Sequence, residues 1–170
     1  MYFSEFPLYQ YDFDGKGQSA KLITDILRRV SVRAKVKANT LLFDKYDIVD
    51  GETPEIVADK YYGSPQYHFV VILLNDIVNQ YDWPLDSVQY AKFLKDKYGD
   101  NIDGVHHYEI NQTSGDTTIK LEVSSDTTGA TLVTNREYED RLQDQKRSIR
   151  LLDRVYLRSF VEEFKKLIKR

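Results

Sequence analysis

The sequence predicts an α+β fold, and three observations carry that prediction. Apolar residues alternate with polar ones in some stretches and recur at helical spacing in others, so strands and helices share the chain. Thr-Pro-Glu and Ser-Pro steps, each with Thr or Ser as the cap residue, mark helix starts in the middle of the chain. A length of 170 residues suits one domain or two small lobes. The expected layout is an N-terminal arm, helix and strand over 1–45, a strand-helix-helix lobe with a following helix over 46–100, a small antiparallel β insertion over 101–135 and a C-terminal helical segment over 136–170.

Tyr9, Tyr11 and Phe13 alternate with polar residues, as in a short half-buried strand or extended arm that ends in the turn Asp14-Gly15-Lys16-Gly17. Leu22, Ile23, Ile26, Leu27 and Val30 follow at helical spacing behind Ser19, which predicts a capped helix over about 20–30. Val32, Ala34 and Val36 then alternate with Arg33, Lys35 and Lys37, the pattern of a strand with one charged face. Tyr46 and Ile48 close a further strand at the turn Asp50-Gly51. Thr53-Pro54-Glu55 opens a helix with a cap, a proline at the first helical position and an acid near the positive end of the dipole. That helix stops at Gly63, Ser64-Pro65 starts a second one at once, and the apolar run Phe69 to Leu74 ends at Asn75-Asp76.

Asp86 is the cap of a helix carrying Val88, Ala91, Leu94 and Tyr98 and ending at Gly99. From 105 to 134 three short strands with Thr-rich turns read as a β-meander. Arg136 to Arg147 is a polar helix, Ser148 to Leu152 a short strand, and Asp153 caps a last helix whose stripe is Leu157, Phe160, Val161, Phe164, Leu167 and Ile168. One continuous helix over 136–168, roughly 48 Å long at 1.5 Å per residue, is the alternative. Either way the stripe needs a covering surface, in this chain or in another.

Composition removes several function classes. Lys plus Arg number 24 against 27 Asp plus Glu, a formal charge of -3, so nothing draws the whole chain to nucleic acid or an anionic membrane. There is no cysteine, which excludes disulfides, thiolate catalysis and Cys-ligated metals. The longest purely apolar run, Phe69 to Leu74, is far short of the roughly 20 residues that span a bilayer. The N-terminus lacks the basic and apolar regions of a secretory signal, so the expectation is a soluble chain that stays where it is made.

Local motifs give no catalytic site and no cofactor. Asp12 to Gly17 imitates a calcium loop, but Lys16 and Ile23 stand where ligands are required. Gly15-Lys16-Gly17 lacks the spacing of a phosphate loop. His106 and His107, adjacent in a strand, are expected on opposite faces, and His68 has no partner placed beside it by spacing. The 27 carboxylates single out no acid-base pair. The chain is therefore read as a non-enzyme. Its unusual feature is aromatic: of 13 Tyr, 8 Phe and 1 Trp, six rings lie in the first 13 residues. Tyr2, Phe3, Phe6, Tyr9, Tyr11 and Phe13 either tuck into the core or dock on another subunit, where such rings serve as anchors.

The stretch Tyr46 to Gly63, followed by Leu73-Leu74-Asn75-Asp76-Ile77, resembles a LysM module, giving the expected fold a LysM-like lobe. The groove that this resemblance implies is formed by Gly51, Glu52, Thr53 and Pro54 with Asn75, Asp76 and Ile77, although the final LysM strand is not identifiable after Ile77. A broader resemblance rests on Asp25 to Val30, Tyr62-Gly63-Ser64-Pro65-Gln66, Asn75-Asp76-Ile77, Asp82-Trp83-Pro84-Leu85, Tyr138-Glu139, Lys146-Arg147-Ser148-Ile149-Arg150 and the final amphipathic helix. Together these look like the baseplate wedge protein 53 family of contractile-tailed phages, over nearly the whole chain. The resemblance implies a structural subunit of the virion, assembled in the host cytoplasm in several symmetry-related copies. It would join neighbouring wedge subunits around the tail tube and meet the tail-tube and sheath initiation proteins. Tyr2, Phe3, Phe6, Tyr9, Tyr11, Phe160 and Phe164 are then the candidate partner-binding residues. A peptidoglycan-binding LysM module is the alternative function.

Overall fold

The computed structural model describes residues 2–13, 15 and 20–169. The chain forms two compact units: Met1–Ile48, Glu52–Gln80 and Ile149–Arg170 make the first, Val49–Gly51 and Tyr81–Ser148 the second. Helices and small sheets are mixed throughout, so the fold class is α+β as the periodicities predict.

Unit 1 begins with a short 3-10 turn, Tyr2–Glu5, and a hairpin of β1 (Leu8–Asp12) and β2 (Ala20–Thr24). The strands are antiparallel, with Leu8 opposite Thr24, Tyr9 opposite Ile23, Gln10 opposite Leu22 and Tyr11 opposite Lys21. This corrects the helix expected over 20–30. Leu22 and Ile23 fit either period, and pairing with β1 satisfies their backbone groups without a helix, the contact continuing through the Asp25 N–H to the Pro7 carbonyl at 2.9 Å. The expected Ser19 cap and, apart from Gly15, the turn at 14–17 lie outside the described residues. The strand expected over 32–37 is also replaced. Ala34–Lys37 is a single helical turn, α1, and Thr40–Leu42 is a 3-10 turn started by the Asn39 side chain, which accepts from Leu41 N at 3.2 Å. With no neighbouring strand to complete a ladder, residues of good helix propensity close their hydrogen bonds locally.

The middle of unit 1 follows its caps. β3 (Phe43–Asp47) leads to α2 (Pro54–Tyr62), whose Thr53 hydroxyl accepts from Ile56 N and whose end is Gly63 in the left-handed conformation, φ 77°. Ser64 starts a 3-10 turn, Pro65–Tyr67, which runs into α3 (His68–Leu74). Within unit 2, Asp86 caps α4 (Ser87–Tyr98) by accepting from Val88 N and Gln89 N at 2.9 and 2.8 Å. Three strands follow, β4 (Val105–Asn111), β5 (Lys120–Val123) and β6 (Thr131–Thr134), and then α5 (Asn135–Arg147) behind a reciprocal Thr134–Glu137 capping box. Their order is β5-β4-β6, all antiparallel, which corrects the expected meander: β4 is the longest strand, and it takes a partner on each edge.

The C-terminal segment is broken, as the first of its two readings expects. β7 (Ser148–Leu152) separates α5 from α6 (Arg154–Ile168), and the Asp153 carboxylate accepts from Val155 N at 2.9 Å. β7 pairs with β3, about 100 residues earlier in the chain. Along the chain the pair encloses the order β3-α2-α3-β7, and the segment between α3 and β7 is mostly unit 2. The core of unit 1 joins Phe6, Phe69, Val70 and Leu74 to Leu152, Phe164 and Ile168. Each such side chain, fully buried, contributes about 1.5–3 kcal/mol of transfer free energy.

Candidate functional site

The aromatic N-terminus divides in two. Tyr2 stacks on Phe69 and Phe164 with ring centroids 5.1 and 5.8 Å apart, and it meets Phe6 edge-on at 5.1 Å. Phe6 is buried. The Lys165 ammonium lies 2.9 Å from the Glu5 carboxylate, and this hydrogen bond, helped by Lys169, holds the Glu5 carboxyl below its usual range. So residues 2–6 are fastened to α6. Phe3, at the edge of that cluster, is exposed. Phe164 and Ile168 are buried and Phe160 is half-buried against the same core, so α6 finds the cover for that part of its stripe within this chain.

The hairpin behaves differently. Tyr9 is 60% exposed, Tyr11 48% and Phe13 78%, and Leu8 and Leu22 on the opposite face are each 65% exposed. Two strands with apolar side chains uncovered on both faces are marginal in water by themselves. Phe6 and Phe164 are thus brought together in the interior with half-buried Tyr2 packed on them, whereas Phe3, Tyr9 and Tyr11 are displayed at the surface. Sequence reasoning missed Leu22, Ile23, Ile26 and Leu27 as surface residues because it placed them on a helix. The alternation Lys21-Leu22 and the β-branched Ile23-Thr24 were the available signal.

The residues of the implied LysM-like groove are all engaged in local structure. Gly51 takes a positive φ of 78°. Glu52 is buried, accepts from the Tyr46 hydroxyl at 2.9 Å and pairs with Lys60. Burial first, and then that carboxylate, push the Tyr46 phenol up to about 12. Thr53 and Pro54 start α2. The Asn75 amide donates to the carbonyls of Val71 and Arg150 and accepts from Arg150 N, each at 2.9 Å, clipping the end of α3 to β7. Asp76, in a left-handed conformation with φ 53°, pairs with Lys37, and Ile77 N bonds the Ile72 carbonyl at 3.1 Å.

Unit 2 holds the ionic clusters. Glu109, on β4, is 3% exposed and receives two hydrogen bonds from the Arg141 guanidinium of α5 at 2.7 and 3.1 Å, with Lys120 at 3.4 Å. Arg141 is the chief reason that its carboxyl lies below the usual range. Glu139 pairs with Lys97 at 2.6 Å and accepts from the Tyr98 hydroxyl at 2.7 Å. Burial pushes the Glu139 carboxyl up, but these two partners outweigh it and the net direction is down. These carboxylates are occupied by cations and hydroxyls, an arrangement that organises a fold and leaves no base poised on open space.

His106 and His107 depart from expectation. They lie on the same side, their Nδ1 atoms 2.8 Å apart, with the His106 ring stacked on Tyr138 at 3.9 Å. The register between β4 and β6 slips between Val105 and His107, so His106 is the extra residue of a bulge, and the bulge turns it out of the alternation. One imidazole donates and the other accepts. Among the described residues no group of three His, Asp or Glu side chains is placed to hold a metal ion, and no helix is long and apolar enough to cross a membrane.

Among curated proteins none matches this chain. The family model for base plate wedge protein 53 matches residues 1–118, more than two thirds of the 170 residues. With its uncovered hairpin and its carboxylates committed to ion pairs, the chain belongs to the base plate wedge protein 53 family, structural components of the phage tail baseplate.

Proposed function

We propose that this chain joins neighbouring wedge proteins in the ring around the tail tube, that it does so without catalysis, and that it enters the particle in several symmetry-related copies in the host cytoplasm. The carrying observation is the β1–β2 hairpin, whose rings and aliphatic side chains stand uncovered on both faces in a family of assembly subunits. Its partners are other wedge subunits and the proteins that initiate tube and sheath. Tyr2, Phe6 and Phe164 act indirectly, by fixing the base of the hairpin to α6.

Complementation tests this reading. A phage lacking its own copy, supplied with the Tyr9→Asp/Tyr11→Asp variant, should yield few or no assembled tails, while the variant itself accumulates as folded protein. Normal tail numbers would refute the docking role of the hairpin. The strand-helix-helix-strand order around β3 and β7 favours a second reading, peptidoglycan binding at Glu52 to Pro54 and Asn75 to Ile77. Retention of the wild-type chain on purified peptidoglycan would support it, and complete flow-through would end it.

A further inference from the structure

The outer face of the β5-β4-β6 sheet is a second apolar surface, with Leu121 and Leu132 exposed and Tyr108, Ile110 and Val123 half-buried. Register places Tyr108 beside Val123 and Leu132, and Ile110 beside Leu121, all on one face, while Glu109, His107, Lys120 and buried Val133 occupy the other. Arg141 of α5 reaches Glu109, so the helix covers the polar face and the apolar one is left outward. Leu121 and Leu132 are each 41% exposed. This inverts the usual disposition of a half-covered sheet.

The two apolar surfaces are bordered by opposite charge. Ala20–Lys37, at and after the hairpin, has six Lys or Arg and one acid, Asp25; of the four acids in Val105–Thr134, Glu109 and Glu122 lie on the face opposite the apolar one, while Asp116 and Asp126 stand in the turns on either side of β5. The imbalance extends to the units. Unit 1 has 16 Lys plus Arg against 13 Asp plus Glu, a net of +3, and unit 2 has 8 against 14, a net of -6. Hairpin-to-hairpin pairing would set like charges together, whereas hairpin-to-sheet pairing sets opposite charges together around two apolar faces.

We infer that the hairpin of one copy docks on the outer face of the β5-β4-β6 sheet of the next copy, a head-to-tail contact that closes into a ring by rotation. The inference rests on the reading of the hairpin as a docking surface and names its occupant. Tyr9, Tyr11, Phe13 and Ile23 lie over Tyr108, Ile110 and Leu121, and Lys21 and Arg29 face Asp116 and Asp126 in the turns flanking β5. At about 150–250 Å² for each large side chain and exposures of 43 to 78%, the four hairpin residues offer on the order of 450 Å². That is below the roughly 800 Å² per partner of a standard interface, so the contact is weak and salt-sensitive, and it forms at high concentration.

Sedimentation of the purified chain at low ionic strength tests this. The mass should rise above the monomer value with concentration and fall back when salt is added. Tyr11→Asp and Leu121→Asp should each weaken self-association at least tenfold, with far-ultraviolet circular dichroism unchanged. Mixing the two variants should restore association, because one intact hairpin can meet one intact sheet, and should stop it at dimers. Lys21→Glu/Arg29→Glu gives a second test that leaves the apolar faces intact, and it too should weaken association. A monomer at every concentration, or a mixture no better than either variant alone, would overturn the inference. If Tyr11→Asp blocks tail assembly while the wild-type chain stays monomeric, the homotypic contact fails and the docking role of the hairpin stands. Normal tails with Tyr11→Asp would remove both.

Discussion

Unit 1 and unit 2 are stabilised by different interiors. Of the 15 buried apolar residues among those described, 13 belong to unit 1, which buries a single polar side chain, Glu52; unit 2 has the other two, Leu94 and Val133, and buries Glu109, Asn135, Glu139 and Gln143. In unit 1 the rings of Phe69 and Phe164 meet at 4.7 Å and water is excluded by shape. In unit 2 position depends on directional bonds: the Asn135 amide donates to the Asn101 carbonyl at 2.8 Å, and the Gln143 side chain accepts from Leu85 N at 3.0 Å. An apolar interior tolerates acid and salt but not a cavity. A polar one tolerates little loss of a partner, because each buried group left alone costs its full desolvation.

The sharpest test of this contrast is Phe164→Ala, which should cost about 3–5 kcal/mol and lower the thermal midpoint of unit 1. Trp83, the one tryptophan, lies in unit 2, so its fluorescence separates the two responses. A parallel shift in Trp83 fluorescence would show that the units unfold as one body. Next is Arg141→Ala, which leaves buried Glu109 with only Lys120 within ion-pair distance among strong cations and should cost about 1–3 kcal/mol. Denaturant unfolding followed at Trp83 measures it.

Acid should separate the units as well. Glu109 and Glu139 are both held below their usual range in the folded state. The stabilisation that they supply is complete above the unfolded glutamate value of about 4.3 and is lost as pH falls through their lower folded values. Unit 2 should therefore weaken in acid, and Glu109→Gln should flatten the dependence of its stability on pH. In unit 1 Glu5 is shifted the same way by Lys165 but sits nearer the surface, so the loss there should be smaller, and equal acid sensitivity would contradict the comparison. Thr134→Ala removes one half of the capping box of α5 and should cost about 1 kcal/mol, seen in thermal melts. Smallest is Tyr11→Ser, expected to change the melting free energy by no more than about 0.5 kcal/mol because the ring is solvated.

Local chemistry was readable in the sequence, and distant pairing was not. Thr53-Pro54, Gly63, Ser64-Pro65, Asp86 and Gly99 mark helix ends through bonds made within a few residues, and every one stands where it was expected. The β3–β7 pair joins segments about 100 residues apart, and nothing near Phe43 names its partner. The 20–30 segment was misread because Leu22 and Ile23 fit a strand as well as the helical period that Ile26 and Leu27 complete, and only the presence of β1 decides between them. The bulge at His106 depends on the register of β6, so no local rule gives it. In the candidate site, the aromatic richness of the first 13 residues was legible, but its division into anchored and displayed rings required Phe69 and Phe164 to be located first.

The late position of β7 and α6 also sets a schedule for synthesis. Every segment of unit 2 is synthesised before residues 149–168, so β3 lacks its neighbour, and Phe69 and Leu74 lack Phe164 and Ile168, until the last part of unit 1 follows. Closing so long a loop is slow relative to forming the α2–α3 turn. Until β7 and α6 arrive, the faces of β3, Phe69 and Leu74 that they cover stay open to water and to chaperones.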